Sequence, residues 1–504
     1  MTIGLSHLLL KTKKFNYLYS VGLSSVIHIS PLLKAIIANR NYLSRWVDNV
    51  TAKSGVSISG VWYGIDQVEY QLEKYEFLKK HNYFEIIGEK TTRNKRLSGK
   101  KVETLFQNTS SISFELTESC NMKCKYCGYG ELYERQGLTK RSNKKMKFEE
   151  AKTLIDFYKS RIKGKLDKKL KSNKIFNIGF YGGEPLLEFS TIKQIVEYVN
   201  KIKIPERKIQ FSMTTNAILL DKYMDYLVVN NFRLAISLDG DKKANSLRVD
   251  HKNKQSFDKV YSNIKLLKKR YPDFFKTSVN ILSVLHSANS HSEIYSYIEK
   301  EFEIEPKILP LSTDNINISK FQEFKKIWHD PSVSYNNYLK SFRGAIPFHK
   351  DSSAYMLSRY SLGLSFQIKF KDKNFMTSNK PSFLSGTCLP FFKEIFMTAD
   401  GNLCYCERIP AKYSLGKVMN NKVYLDFDKI AKGHNNIYDL MSSKCYTCYR
   451  INYCRECLLT DNNLGECNYY SRNKELVKNE IANMIDYIEK DNIKYLQSIK
   501  EIMI

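Results

Sequence analysis

From about residue 106 onward the chain switches repeatedly between two hydrophobic periods. The runs Ser111–Thr117, Ile175–Phe180, Lys208–Met213, Phe232–Ser237 and Thr277–Val284 read as strands, and the stretches between them, such as Phe148–Tyr158, show helical spacing. Strands alternating with helices predict a parallel α/β layout over residues 106–330. Residues 1–105 mix a strand-like run, Tyr17–Val21, with a helical one, Glu69–Lys80, and suggest a separate α+β module. The polar, basic run Glu89–Lys101 reads as a linker. Residues 331–387 form a less patterned bridge, residues 388–470 are rich in cysteine, and 471–504 form a helical tail. No internal repeat is visible.

Composition narrows the class without deciding the chemistry. A hydrophobic content of 42% fits a globular protein, and no apolar run reaches membrane-spanning length. The formal net charge of +28 would suit an acidic partner. Lysine is enriched everywhere, however, and its runs read first as solvated faces, so a nucleic-acid partner is disfavoured. The N-terminal stretch lacks the basic start and cleavage site of a signal peptide, and a chain of 504 residues needs no disulfide staples. A reducing cytoplasm is therefore expected.

The eleven cysteines carry the strongest signal. Cys120, Cys124 and Cys127 form a C-x3-C-x2-C loop, and none follows until Cys388. A four-iron cluster takes one thiolate per iron, so three cysteines leave one iron open to another ligand. A structural zinc site wants four ligands, and no fourth lies close by. The other eight are Cys388, Cys404, Cys406, Cys445, Cys448, Cys454, Cys457 and Cys467, enough for two closed sites of four.

The three-cysteine loop and its strand-like lead-in resemble the radical S-adenosylmethionine (SAM) superfamily. That resemblance implies a partial (β/α)6 TIM-like barrel in which the methionine group of SAM chelates the open iron, with the site at the carboxyl ends of the strands. Phe180–Leu187 contains Gly182, Gly183, Glu184 and Pro185, which match the motif holding the cofactor's amine. Their two glycines would let backbone approach a ligand closely. The resemblance also places Ser212 and Asn216 near the cofactor's sugar or carboxylate, Asp239 at a family-like strand end, and Arg248 on the carboxylate. The usual proline and histidine between Asp239 and the arginine are missing, and the segment is one residue short.

The C-terminal cysteines resemble the SPASM domain of peptide maturases, with one spacing shortened between Cys454 and Cys457. By analogy Cys388, Cys406 and Cys457, with Cys404 as the fourth ligand, would hold one auxiliary [4Fe–4S] cluster, and Cys445, Cys448, Cys454 and Cys467 a second. The implied function is a radical SAM/SPASM peptide maturase with three [4Fe–4S] clusters and SAM. It would act on a ribosomally made precursor peptide, with a flavodoxin or ferredoxin as electron donor and the N-terminal module as a winged-helix-like leader-binding domain. An anaerobic sulfatase-maturating enzyme, which makes formylglycine, is the main alternative. In that type an aspartate follows the cysteine equivalent to Cys406 and serves as base, whereas Glu407 follows here and becomes the candidate catalytic group. A non-catalytic zinc- or nucleic-acid-binding protein is the alternative from another class.

Overall fold

The computed structural model describes residues 7–23, 25–85, 96–134, 143–162, 175–202, 204, 207–313, 315–340, 367–370, 373–375, 388–409, 411–446, 448, 449, 457, 459, 478, 479, 481, 482 and 485. Its strands are β1 (His7–Lys11), β2 (Asn16–Ser20), β3 (Ser25–Ile29), β4 (Gly55–Ile58), β5 (Val61–Gly64), β6 (Ser111–Glu115), β7 (Ile175–Tyr181), β8 (Lys208–Thr215), β9 (Arg233–Ser237), β10 (Val279–Leu285), β11 (Lys307–Pro310), β12 (Gln367–Phe370), β13 (Lys373–Phe375), β14 (Ile395–Met397), β15 (Asn402–Cys404), β16 (Gly416–Met419) and β17 (Lys422–Leu425).

β6 to β11 are parallel neighbours in sequence order, and a helix follows each of them. This is the (β/α)6 partial barrel. Its helices form because apolar residues recur on one face: in Phe148–Ile162 the buried positions are Ala151, Leu154, Ile155, Tyr158 and Ile162. Acidic Glu149 and Glu150 open that helix and Lys159 and Arg161 close it, each sign matching the helix dipole. Strand residues alternate likewise. Phe176, Ile178, Phe180, Phe211, Met213, Phe232, Leu234 and Ile236 join the apolar core. Ser113, Gly179 and Ser212 lie across from one another on the opposite face, which lines the inside of the barrel.

The C-terminal strands continue the same sheet. β14 pairs parallel with β6 (Ile395 opposite Ile112), and β15, β16 and β17 follow antiparallel. The cysteine-rich region thus starts as an extension of the barrel wall. The long helix Phe427–Tyr446 packs along the helix Gly99–Gln107, with Arg96 reaching Asp439 at 2.7 Å and Leu97 exchanging two hydrogen bonds with Asn435. Gly99 to Lys101, expected as part of a linker, instead begin that shorter helix, capped by the Ser98 hydroxyl.

The N-terminal strands β1-β2-β3 are antiparallel neighbours in a five-stranded sheet of order β1-β2-β3-β12-β13, and they are followed in sequence by helices Pro31–Ala38, Leu43–Ala52 and Ile65–Lys80 and the β4–β5 hairpin. One sheet face, with Leu18 and Ile29, packs on these helices. The other carries Leu8, Leu10, Tyr17, Tyr19 and Val26, each at most 2% exposed. Tyr19 donates from that face to the Tyr449 carbonyl, so the chain beside Cys448 lies on it. Among the described residues of the bridge are helix Pro331–Lys340 and β12, which pairs parallel to β3. Most of the expected helical tail, along with Cys454 and Cys467, lies outside the described residues. Among the described residues no helix is long and apolar enough to cross a membrane.

Candidate functional site

The three-cysteine loop leaves the carboxyl end of β6 and is fastened from three directions. On one side, Gly183 N–H donates to Thr117 O (2.8 Å) and Glu184 N–H to Ser119 O (2.9 Å). A Cβ on Gly183 would stand 2.1 Å from Ser119 O, and Gly182 has φ +143° with Thr117 O 2.4 Å from where its Cβ would be. These glycines admit the close approach of the cysteine loop.

On the second side, Asn216 follows the end of β8. Its Nδ2 donates to Asn121 Oδ1 (2.8 Å) and lies 3.6 Å from Cys120 Sγ, to which the Met122 N–H also points at 3.4 Å. Hydrogen bonds to a ligating sulfur are one of the ways a protein tunes an iron–sulfur cluster. Glu184 does not face the loop opening. It is fully buried, accepting from Thr215 (2.8 Å), Leu186 N–H (3.1 Å) and Asn216 N–H (2.7 Å). Burial pushes its carboxyl up to about 7 against those three bonds. Its role is to tie the turn after β7 to the end of β8, while Pro185 opens the short helix behind it. Ser212 lies four residues before Asn216, inside β8, so the two are separated by about 13 Å of extended chain.

On the third side, residues 247–251 clasp the loop. Lys123 N–H donates to Val249 O (2.7 Å), Lys125 N–H to Leu247 O (2.9 Å), and His251 Nε2 lies 2.8 Å from Cys120 O. Between them runs a buried polar cluster. The Tyr126 hydroxyl, from within the C-x2-C turn, donates to Asp239 and accepts from Arg248 Nη1 (2.9 Å). Asp239 also accepts from Val284 N–H (2.9 Å) and lies 3.6 Å from His286 Nε2, both residues being fully buried. The His286 ring stacks on Tyr126 at 5.6 Å, and Asn289 braces His286 and the Asp239 carbonyl. Asp239 is thus used to hold Tyr126 and the strand ends. Arg248 is 6% exposed, and its Nε has no partner, nor has Nδ2 of the neighbouring Asn245. Two orphaned buried donors beside a cysteine loop fit an anionic group such as a carboxylate.

Burial raises the Cys124 thiol to about 11, with the Arg248 charge opposing. Among the described residues no three His, Cys, Asp or Glu side chains converge on a single ion. A cubane gives each thiolate its own iron and asks for a wider spread.

The C-terminal cysteines are less tightly gathered. Cys404, fully buried at the end of β15, is pushed up to about 12 by burial and then by Glu115 and Asp400. Cys406 is raised similarly, with Glu407 and Cys457 adding to burial. Cys404 ends β15 and Cys406 lies in the bend that follows, within electrostatic reach of it. Cys445 lies in the last turn of its helix and Cys448 N–H bonds back to its carbonyl (3.1 Å), while Cys388 is partly exposed. Glu407 sits 3.7 Å from Arg408. Near it, Glu394 accepts from Ser113 Oγ (2.7 Å) inside the barrel, and burial with the Glu407 charge lifts its carboxyl to about 7. Tyr181 also points inward, within electrostatic reach of Glu407, Cys127 and Glu115.

Sequence reasoning did not find Tyr126, His286, Asn245, Glu115 or Glu394. The run His286–Asn289 directly after a parallel strand was the available signal for one of them.

Comparison with known proteins decides the family of the central part. Residues 114–296 match the radical SAM superfamily. This segment is a radical SAM domain. Such a domain implies a [4Fe–4S] cluster and SAM. The chain is 27% identical over 190 residues to a cysteine-type anaerobic sulfatase-maturating enzyme of Clostridium novyi (strain NT), covering 37% of this chain and 46% of the relative. It is 27% identical over 168 residues to the radical SAM cyclopropyl synthase TigE of Paramaledivibacter caminithermalis, covering 32% and 33%. The chain therefore spans about half the length, or less, of these curated relatives. The solved structure of native anSMEcpe with bound AdoMet shares the fold, with a TM-score of 0.50 at 21% identity over 78% of this chain and 99% of that one.

Proposed function

We propose that this chain is a radical SAM peptide-modifying enzyme that takes a hydrogen atom from a ribosomally made precursor peptide to form a cross-link or other oxidative modification. The observation that carries it is the clasped loop of Cys120, Cys124 and Cys127, with the unpartnered buried donors of Arg248 and Asn245 beside it. A four-iron cluster held by Cys120, Cys124 and Cys127 would, with SAM, supply one-electron reductive chemistry, and clusters held by the C-terminal cysteines would supply an electron acceptor.

The chain's own residues do the rest. Arg248, held by Tyr126, would receive the SAM carboxylate, and Asn216 steadies Cys120. The barrel interior keeps water from a radical that any nearby hydrogen donor would quench. Oxidation of the peptide also releases a proton, and Glu407 and Glu394 are the carboxylates on the side of Cys406 that could take it. Cys388, Cys404, Cys406 and Cys457 would form one auxiliary site and Cys445, Cys448, Cys454 and Cys467 the other. The N-terminal module would hold the peptide's leader, and a flavodoxin or ferredoxin would deliver the electron.

Relatives named sulfatase-maturating enzymes favour a second reading, conversion of a cysteine or serine to formylglycine. Mass spectrometry on reconstituted enzyme separates the two. A cross-link removes two hydrogens and depends on the leader, whereas formylglycine from cysteine loses sulfur and gains an aldehyde. Aldehyde formation on a short leaderless peptide would overturn the first reading. The leader's role is best tested by mixing leader and core peptides in trans. Deleting residues 1–105 would uncover the surface that packs on Leu8, Leu10, Tyr17 and Tyr19, including the chain at Tyr449, and would cut the helix Gly99–Gln107, confounding the result.

A further inference from the structure

Glu115 ends β6 and is 5% exposed. Its Oε1 accepts from the hydroxyl of Tyr129 (2.5 Å), two residues beyond Cys127. Its Oε2 accepts from the backbone N–H of Ala399 (3.1 Å), 284 positions along the chain. Ala399 belongs to the turn between β14 and β15, and that turn is stiff. Thr398 bonds Asp400, Asn402 N–H donates to Thr398 Oγ1 (3.0 Å), and Asn402 Nδ2 donates to Asp400 (2.9 Å). β15 then leads directly to Cys404 and Cys406, and the Glu115 charge is felt at Cys404. One side chain therefore joins the exit of the three-cysteine loop to the root of the hairpin that carries two C-terminal cysteines. A carboxylate suits this place because it accepts on both oxygens. β6 and β14 are already paired through Ile112–Ile395, Ser113–Phe396 and Phe114–Met397, and Glu115 extends that ladder by a side-chain link at the point where the loop departs. The ion pair of Lys144 with Asp400 at 3.7 Å is half-exposed on the lysine side and contributes little.

We propose that Glu115 is a positioning residue that fixes the loop of Cys120, Cys124 and Cys127 against the turn leading to Cys404 and Cys406, and so sets the spacing between the place where the radical forms and the C-terminal cysteines. This rests on the proposed radical reaction for its consequence, but its geometry stands apart from it. When Glu115 is lost the loop exit gains freedom relative to the hairpin. SAM cleavage continues, because the three thiolates and Arg248 are untouched. Transfer of the radical to the peptide suffers.

The test compares Glu115→Ala, Glu115→Gln and Tyr129→Phe in the full chain. Glutamine can keep both contacts, its oxygen accepting from Ala399 and its amide donating to the Tyr129 oxygen. In cluster-free protein, amide hydrogen exchange at residues 128–131 and 399–401 should quicken about tenfold in Glu115→Ala, the size expected for one lost buried hydrogen bond, and less in Tyr129→Phe. In reconstituted enzyme with precursor peptide, 5′-deoxyadenosine formed per peptide modified should rise by about 10- to 100-fold in Glu115→Ala, since misplacement by about 1 Å can cost 100-fold. Glu115→Gln should restore both readouts to near wild type. Unchanged exchange and coupling in Glu115→Ala, or a Glu115→Gln variant as impaired as the alanine one, would overturn the positioning role. If Glu115→Ala does not fold, Tyr129→Phe with unaltered exchange in the loop does the same. Wild type that forms no 5′-deoxyadenosine would instead sink the proposed reaction and leave the exchange comparison to decide the tether.

Discussion

The loop of Cys120, Cys124 and Cys127 is fastened by the Gly182–Gly183 turn, by Asn216 and by residues 247–251, whereas the described C-terminal cysteines are spread over a strand end, a helix end and irregular chain. A loop that presents an open iron must be held by the protein, since the cluster itself leaves one corner free. A closed site of four thiolates binds its metal with all its ligands, and the metal then does much of the holding. The central loop is thus pre-built by the fold, and the described C-terminal cysteines are not held in the same way.

The sharpest way to break this comparison is to remove the pre-building without touching a cysteine. Gly183→Ala would place a methyl group 2.1 Å from Ser119 O, with backbone on both sides. We expect a loss of about 3 kcal/mol or more, in the range of severe backbone strain and overpacking, read as a fall in denaturant midpoint of the cluster-free chain. Equal midpoints would mean that the loop is not clasped there.

Arg248→Ala comes next. A charge-assisted bond to the SAM carboxylate is worth about 1.5–3 kcal/mol, so SAM affinity should fall by tenfold or more, measured by equilibrium binding to the reconstituted enzyme. Unaltered affinity would show that the orphaned Arg248 Nε serves something else.

On the other side of the comparison, Cys404→Ala should lower the iron content of reconstituted protein and change the electron paramagnetic resonance of one C-terminal cluster, while SAM cleavage persists. Unchanged iron and an unchanged signal would remove Cys404 from the ligand set.

The smallest effect is a pH dependence. The Glu394 carboxyl is raised from its ordinary value to about 7 by burial, so its ionised form is the disfavoured one in the folded chain. Its contribution to stability is intact below about 4.5, falls as pH rises, and has levelled off above about 7. The stability difference between wild type and Glu394→Gln should therefore drift against wild type between those values, by up to about 3 kcal/mol, and be flat outside them. A difference that is flat throughout would place Glu394 in water.

Much of the barrel was legible because its strands bury one face and its helices repeat every three to four residues. Five of its six strands were expected within a few residues of where they lie; β11, only four residues long, carries too little pattern. β14 to β17 were missed for the same reason, since three- and four-residue strands cannot show alternation. The cysteine loop was legible because ligand spacing is local. The buried cluster of Tyr126, Asp239, Arg248 and His286 was not, because its members come from four separate segments and meet only through the fold. The contacts of Gly183 and Glu184 with the cysteine loop and with Asn216 were likewise not legible: a motif shows which residues are needed, and packing shows what they touch.

The most direct measurement of the central assignment is SAM cleavage by anaerobically reconstituted protein, wild type against Cys120→Ala/Cys124→Ala/Cys127→Ala. We expect wild type with dithionite to be brown, to bind about twelve irons at four per cluster and to release 5′-deoxyadenosine. The triple variant should keep about eight irons and release none. A triple variant that still makes 5′-deoxyadenosine, or a wild type that stays colourless and binds zinc, would contradict the assignment of this loop.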